Sequence, residues 1–359
     1  MRLALLLLSG LQLVLSEVRQ DRVEGGEAPI AAEKERIRAK APLTDGQKAE
    51  YASPEGPPAK PRASYTLAVV PLEFSDRKLG TKDLEKFVFG SVGDYYSKAS
   101  GGRFKLGGQV VERVSLAVER SAFERRDLEK ALGGVPPCDG VAVVAAGGLP
   151  GRGAPLWPHR GVVRSGKREI DYLLVPEEAA AAIVAHEFMH LLGFADKYDD
   201  EKASVADACI LGTGYSVRNP PPPCVECRVK LGWASAAAVD PTRASAVSLA
   251  ADSARAVRIP VTPDGEEALL LEMRDRLFVW HLGGGRKIEL LGRYPAEASD
   301  RLTPFSEPSF RGRSLGARPV WITDIRVEDG KAWFRVGPEA PPTPLEEWRR
   351  SHVGKRLGD

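Results

Sequence analysis

The run AAAAIVAHEFMHLLGFADKYDD, residues 179–200, sets two histidines and a glutamate into an alanine-rich segment that breaks at a glycine. On a helix, residues four apart share one face, with Cβ atoms ~5–6 Å apart. His186 and His190 can therefore grip one ion. Glu187, one position on, falls beside the pair, where its carboxylate can reach a water on that ion without being a ligand. Gly193 suits the left-handed conformation that ends a helix, and Asp196 can then swing its carboxylate back to the ion. Two imidazoles, one carboxylate and an open fourth position form the ligand set of a catalytic zinc rather than a closed structural one. HExxH alone also arises by chance on amphipathic helices, where His and Glu are ordinary surface residues. Here the apolar flanks AAAAIVA and FMHLLGF turn the polar groups to the interior, where they need partners.

Such a helix needs a scaffold. Tyr65–Phe74 (YTLAVVPLEF) and Asp139–Gly148 (DGVAVVAAGG) read as buried strands, and REIDYLLVP, directly before the metal-site helix, as a third. GRFKLGGQVV reads as a strand interrupted by glycines. TKDLEKFVFGSVGDYYSKAS reads as one or two helices with a Gly break, capped by Thr81. Pro176 is expected in the first turn of the metal-site helix, with Glu177 and Glu178 at its positive end. Strands alternating with helices indicate an α+β or α/β domain. Beyond about residue 240, AVRIPV, EALLLEMR, LFVWHL, KIELLG, VWITDIRV and AWFRVG are short strands separated by turn residues, an all-β unit built as a sandwich or small barrel. The expected organisation is a signal peptide at 1–16, a charged, proline-rich linker or pro-segment at 17–62, an α+β catalytic domain at 63–242, a smaller all-β domain at 243–340 and a flexible tail at 341–359.

Over 359 residues, 51 basic and 49 acidic side chains are interspersed to a net charge of +2, with no basic face to attract a nucleic acid. The N-terminus, MRLALLLLSGLQLVLSEVRQD, has the basic start, short apolar core and small residue of a secretory signal. Its apolar run is short for a ~20-residue membrane span. A secreted or extracytoplasmic location follows, with no membrane association after signal cleavage. Export permits disulfides among Cys138, Cys209, Cys224 and Cys227. The expected pairing joins Cys209 to Cys224 or Cys227 and leaves the remaining one to Cys138. The CxxC at Cys224 and Cys227 lacks a second CxxC or a nearby histidine to complete a four-ligand zinc site.

HEFMHLLGFADKYD resembles the HEFGHxLGLPDxYD motif of the immune inhibitor A family of secreted metallopeptidases. VVPLEFSD, VGDYYSKASGGRFKLGGQV, VAVVAAGG, LWPHR, VKLGWAS, LLLEMRD and FVWHL resemble family blocks in the same order, from about Tyr65 to Val336. The resemblance implies a zincin-like catalytic domain with a mixed sheet. It also implies a monomeric zinc endopeptidase acting on proteins or peptides, with His186, His190 and Asp196 as zinc ligands and Glu187 as general base. His159, in LWPHR, and Tyr215, in CILGTGYS, are secondary candidates for contacting substrate or metal, each with an ordinary packing role as the alternative. Calcium is implied by the resemblance alone. Two departures stand out: Leu211 occupies the place of the methionine that such families set beneath the metal, and Met189 replaces a glycine inside HExxH. The competing function is an exported, non-proteolytic binding or adhesion protein that retains the peptidase fold; the intact Glu187 argues against it.

Overall fold

The computed structural model describes residues 58–150, 155–197, 205–212, 219–251, 254–283, 288–294 and 320–338. The signal, most of the linker and the tail expected from the sequence lie outside them. The account below concerns the compact unit formed by Ser53–Leu149 and Pro158–Asp359.

The first sheet has the order β2-β1-β4-β6-β5. Its strands are β1 (Ser64–Glu73), β2 (Lys105–Val110), β4 (Gly140–Ala145), β5 (His159–Ser165) and β6 (Arg168–Pro176), and the two-residue β3 (Val114–Ser115) also pairs with β1. β1, β2, β4 and β6 run parallel, and β5 returns antiparallel to β6 across a turn where Gly166 takes φ 62°. The central strands read as continuous apolar runs because both faces are covered; every residue of β4 is buried. β5 was not anticipated, since HRGVVRS breaks apolar alternation with two arginines and a glycine. As the antiparallel edge strand it needs less burial than the centre.

A wide π-type helical segment, Lys86–Val92, runs without a break into helix α1 (Gly93–Ala99), so the expected interruption at glycine is not made. The cap is also displaced from Thr81: Asp83 Oδ1 accepts the Lys86 N–H at 3.0 Å, and a carboxylate at that point suits the orphan amides of a helix start. Helix α2 (Arg125–Ala131) carries a capping box between Glu124 and Asp127. Helix α3 (Ala181–Leu191) holds the HExxH residues. Pro176 ends β6 instead of opening α3, whose first helical residue is Ala181. Glu177 instead ties down a neighbouring loop, where its carboxylate accepts the Gly80 N–H at 2.6 Å.

α3 packs on the sheet through an aromatic cluster. Phe188 meets Tyr65 and Tyr96 edge to face, each with ring centroids 5.0 Å apart, and Trp233 lies 5.0 Å from Phe104 in the same group. The Tyr96 hydroxyl, fully buried, donates to the Ala185 carbonyl and so holds the helix at the turn that carries His186.

The β-rich region has two sheets, of order β12-β11-β10-β9-β7 and β13-β14-β8. The first comprises β7 (Ser235–Ala238), β9 (Arg255–Pro260), β10 (Ala268–Met273), β11 (Leu277–Leu282) and β12 (Ile288–Tyr294). The second comprises β8 (Ser245–Ala250), β13 (Trp321–Glu328) and β14 (Lys331–Gly337). Leu249, Ile322 and Phe334 pack against Ile259, Leu271 and Val279 between the sheets, which makes a sandwich rather than a barrel. The opposite face of the five-stranded sheet, through Leu270, Phe278 and Trp280, joins the core that contains α3. No helix among the described residues is long and apolar enough to cross a membrane.

Helix α4 (Val225–Lys230) meets β10 through an ion cluster centred on a fully buried carboxylate. Glu272, 0% exposed, accepts from Arg228, from Arg274 at 2.7 Å and from the Trp280 indole N–H at 2.9 Å. Removing one partner of a buried ion pair leaves an uncompensated charge, at a cost of about 3–5 kcal/mol. Glu272→Gln keeps the shape but strands two guanidinium groups. It is expected to lower the unfolding free energy by about that amount in urea titration; a loss under about 1 kcal/mol would show the cluster to be solvated.

Candidate metal centre

α3 ends in a turn built for the site. Gly193 takes φ 91°, its N–H donates to His190 O at 3.1 Å, and the Phe194 N–H donates to Met189 O at 3.2 Å. These are the two bonds of a Schellman closure, which needs a left-handed residue at the position Gly193 holds. The closure turns the Phe194 carbonyl back onto the helix end, 2.7 Å from His190 Nδ1. His186 Nδ1 lies 2.8 Å from the Ile210 carbonyl.

A carbonyl oxygen can only accept, so both Nδ1 atoms carry the proton in the neutral rings, and both Nε2 atoms present lone pairs. Those lone pairs converge on Asp196, whose Oδ1 lies 3.1 Å from His186 Nε2 and 3.5 Å from His190 Nε2. The imidazoles stand nearly perpendicular, at 85°, with centroids 5.0 Å apart. Glu187 Oε2 lies to one side, 3.9 Å from His190 Nε2. His186, Glu187 and His190 offer ligand atoms all within 4.8 Å of one another, and all three residues are buried. Asp196 is about one-third exposed, which leaves the group a solvent-facing side.

The donor set fits zinc. Two nitrogen lone pairs facing a carboxylate oxygen repel unless a cation lies between them. In the metal-free protein that cation is a proton: burial pushes the His186 imidazolium down, but the Asp196 hydrogen bond and the Glu187 charge outweigh it and raise the ring to about 9. A divalent metal competes for the same lone pair.

The structure thus brings His186, Glu187, His190 and Asp196 together and leaves His159 out of the cluster. His159 lies on β5, its Nε2 3.2 Å from the Tyr172 hydroxyl. Tyr215 lies outside the described residues. Leu211 is fully buried directly after Ile210, in the loop beneath His186, and Met189 is fully buried in the core. The carbonyls of Ile210 and Phe194 could not be found from sequence, because any residue type supplies a carbonyl.

The expected disulfides are corrected: all four cysteines are free thiols. Cys138, partly exposed at the start of β4, does not join the other three, which lie together in the core.

A zincin-type helix on a mixed sheet, with paired histidines and an adjacent carboxylate, defines a zinc metallopeptidase, and the intact motif supports catalysis over a non-proteolytic role. Residues 154–214 match the family model described as immune inhibitor A peptidase M6, catalytic domain. Over this segment, which carries the HExxH residues, the chain is similar to that family. No curated protein matches the chain.

Asp196→Ala removes the oxygen that faces both imidazoles. It should abolish retention of zinc through dialysis, measured by elemental analysis. Full zinc in Asp196→Ala, with loss in Asp199→Ala, would reassign the third ligand.

Proposed function

We propose that this chain is an extracytoplasmic endopeptidase in which His186, His190 and Asp196 hold zinc and Glu187 is the general base. What carries the reading is the division of labour in one cluster: Asp196 Oδ1 faces both imidazole nitrogens, while the Glu187 carboxylate stands aside. Zinc, when bound, supplies a Lewis acid that acidifies water and polarises the scissile carbonyl. Glu187 accepts a proton from the attacking water on its carboxylate and passes it to the departing amine nitrogen. The carbonyls of Ile210 and Phe194 fix the imidazole tautomers and hold the rings in position. Proteins or peptides are the substrates this chemistry suits.

Glu187→Gln tests the assignment, since the amide matches the carboxylate in shape but cannot take the proton. Zinc content and thermal midpoint should stay near wild type while casein hydrolysis falls by about 10²–10⁴-fold or more. Near-wild-type turnover in the variant would remove Glu187 from the mechanism. A zinc-loaded wild type that cleaves no peptide would return the exported binding protein as the better reading.

A further inference from the structure

Ile210, whose carbonyl orients His186, is preceded by Cys209. The Cys209 sulfur lies in the core with those of Cys224 and Cys227, all three within 4.8 Å of one another and all three residues 0% exposed. Cys224 stands at the N-terminal boundary of α4 and Cys227 in its first turn, their sulfurs 3.5 Å apart. Cys209 comes from fifteen residues earlier, and its sulfur accepts the Cys224 N–H at 3.2 Å. The Leu211 N–H is a second main-chain donor to it. Amide donors aimed at a buried sulfur stabilise a thiolate, not a thiol.

The surrounding charge points the same way. Two buried glutamates are each shared by two cations: Glu226 by Lys197 and Lys230, and Glu272 by Arg228 and Arg274. Of these cations, Lys197 lies close enough to act on Cys224 and Cys227, and Arg274 on Cys209 and Cys224. One disulfide would use two of the three sulfurs and leave the third as a lone buried thiol. Three thiolates around a divalent ion carry one net negative charge and use every sulfur.

We propose that Cys209, Cys224 and Cys227 form a second metal centre for a thiophilic divalent cation, for which zinc is the probe. Sulfur-rich sets select such ions over hard cations. On binding, each thiol that ligates gives its proton to solvent. The centre joins the loop carrying Ile210 to α4 and stands apart from the hydrolytic chemistry, so this inference does not rest on the peptidase reading.

The test uses the full chain. Wild type loaded with zinc and dialysed should carry two equivalents by elemental analysis. The double variant His186→Ala/His190→Ala should carry one, released by a mercurial thiol reagent. With cobalt(II) in place of zinc, that variant should show sulfur-to-metal charge transfer in the near ultraviolet. A double variant without metal, or a cobalt spectrum without that band, overturns the proposal. Should the double variant fail to fold, wild type still decides. Denatured with chelator and no reductant, it should take up four iodoacetamide adducts after carrying two zinc ions. Two adducts, which mark a disulfide, or no zinc released by the mercurial reagent, overturn it. Loss of peptidase activity alone bears on the first centre and leaves this one untouched.

Discussion

Two main-chain carbonyls decide what His186 and His190 can do. An imidazole has one proton to place when neutral, and a carbonyl at hydrogen-bond distance from Nδ1 fixes it there. Both Nε2 atoms are then acceptors that face a third acceptor, Asp196 Oδ1. The site is thereby committed to a cation before any ligand arrives. The carbonyl of Phe194 is placed by the turn that Gly193 permits. That of Ile210 is placed by a loop tied down on several sides: Lys197 N–H to Leu211 O at 3.0 Å, Arg274 to Ala208 O at 2.8 Å, and the sulfur cluster at Cys209. Groups that hold the ligating rings in this way tune metal affinity, their loss typically costing about 10–100-fold.

Those ties make the β-rich region part of the catalytic architecture. Arg274, immediately after β10, reaches the Ala208 carbonyl while its guanidinium is paired with Glu272 on the same strand. The five-stranded sheet is buried on both faces, with one face against the catalytic core and the other against the three-stranded sheet. This explains why β10 reads ALLLEM, without polar alternation, and why its one carboxylate is so heavily bonded. A charge in the middle of a doubly covered sheet persists only with partners, and two arginines and an indole supply them.

The grouping of His186, Glu187, His190 and Asp196 was legible because its spacing is dictated by helix geometry: four residues from His186 to His190, then a glycine to turn the chain and a carboxylate beyond it. β1, β4, β6 and the strands from β9 onward were legible through unbroken or alternating apolar runs. β5 was hidden by its arginines, and β7 and β8 by small residues with little pattern, SAAA and SAVSLA. Thr81 and Pro176 were misassigned because a capping residue and a helix-opening proline are recognised only relative to the true first turn, and the helices begin several residues later. The sulfur cluster escaped for a topological reason. CxxC fixes two sulfurs locally, whereas the third arrives from a loop whose path no periodicity records, so the set looked incomplete as a ligand site.

Burying His186, Glu187 and His190 in an otherwise apolar helix works against stability, since each loses water, and the two Nδ1 atoms recover a main-chain partner. The remaining polar atoms point at one another. A cation among them converts mutual repulsion into attraction, and because the unfolded chain offers no assembled site, its binding free energy becomes folding free energy. The same reasoning holds for the three buried sulfurs. Both clusters are attached to the segment 205–212, one through Ile210 and the other through Cys209, adjacent residues whose main-chain positions cannot vary independently. The carbonyl that fixes the His186 tautomer thus stands one residue from a sulfur that is itself held by the Cys224 N–H.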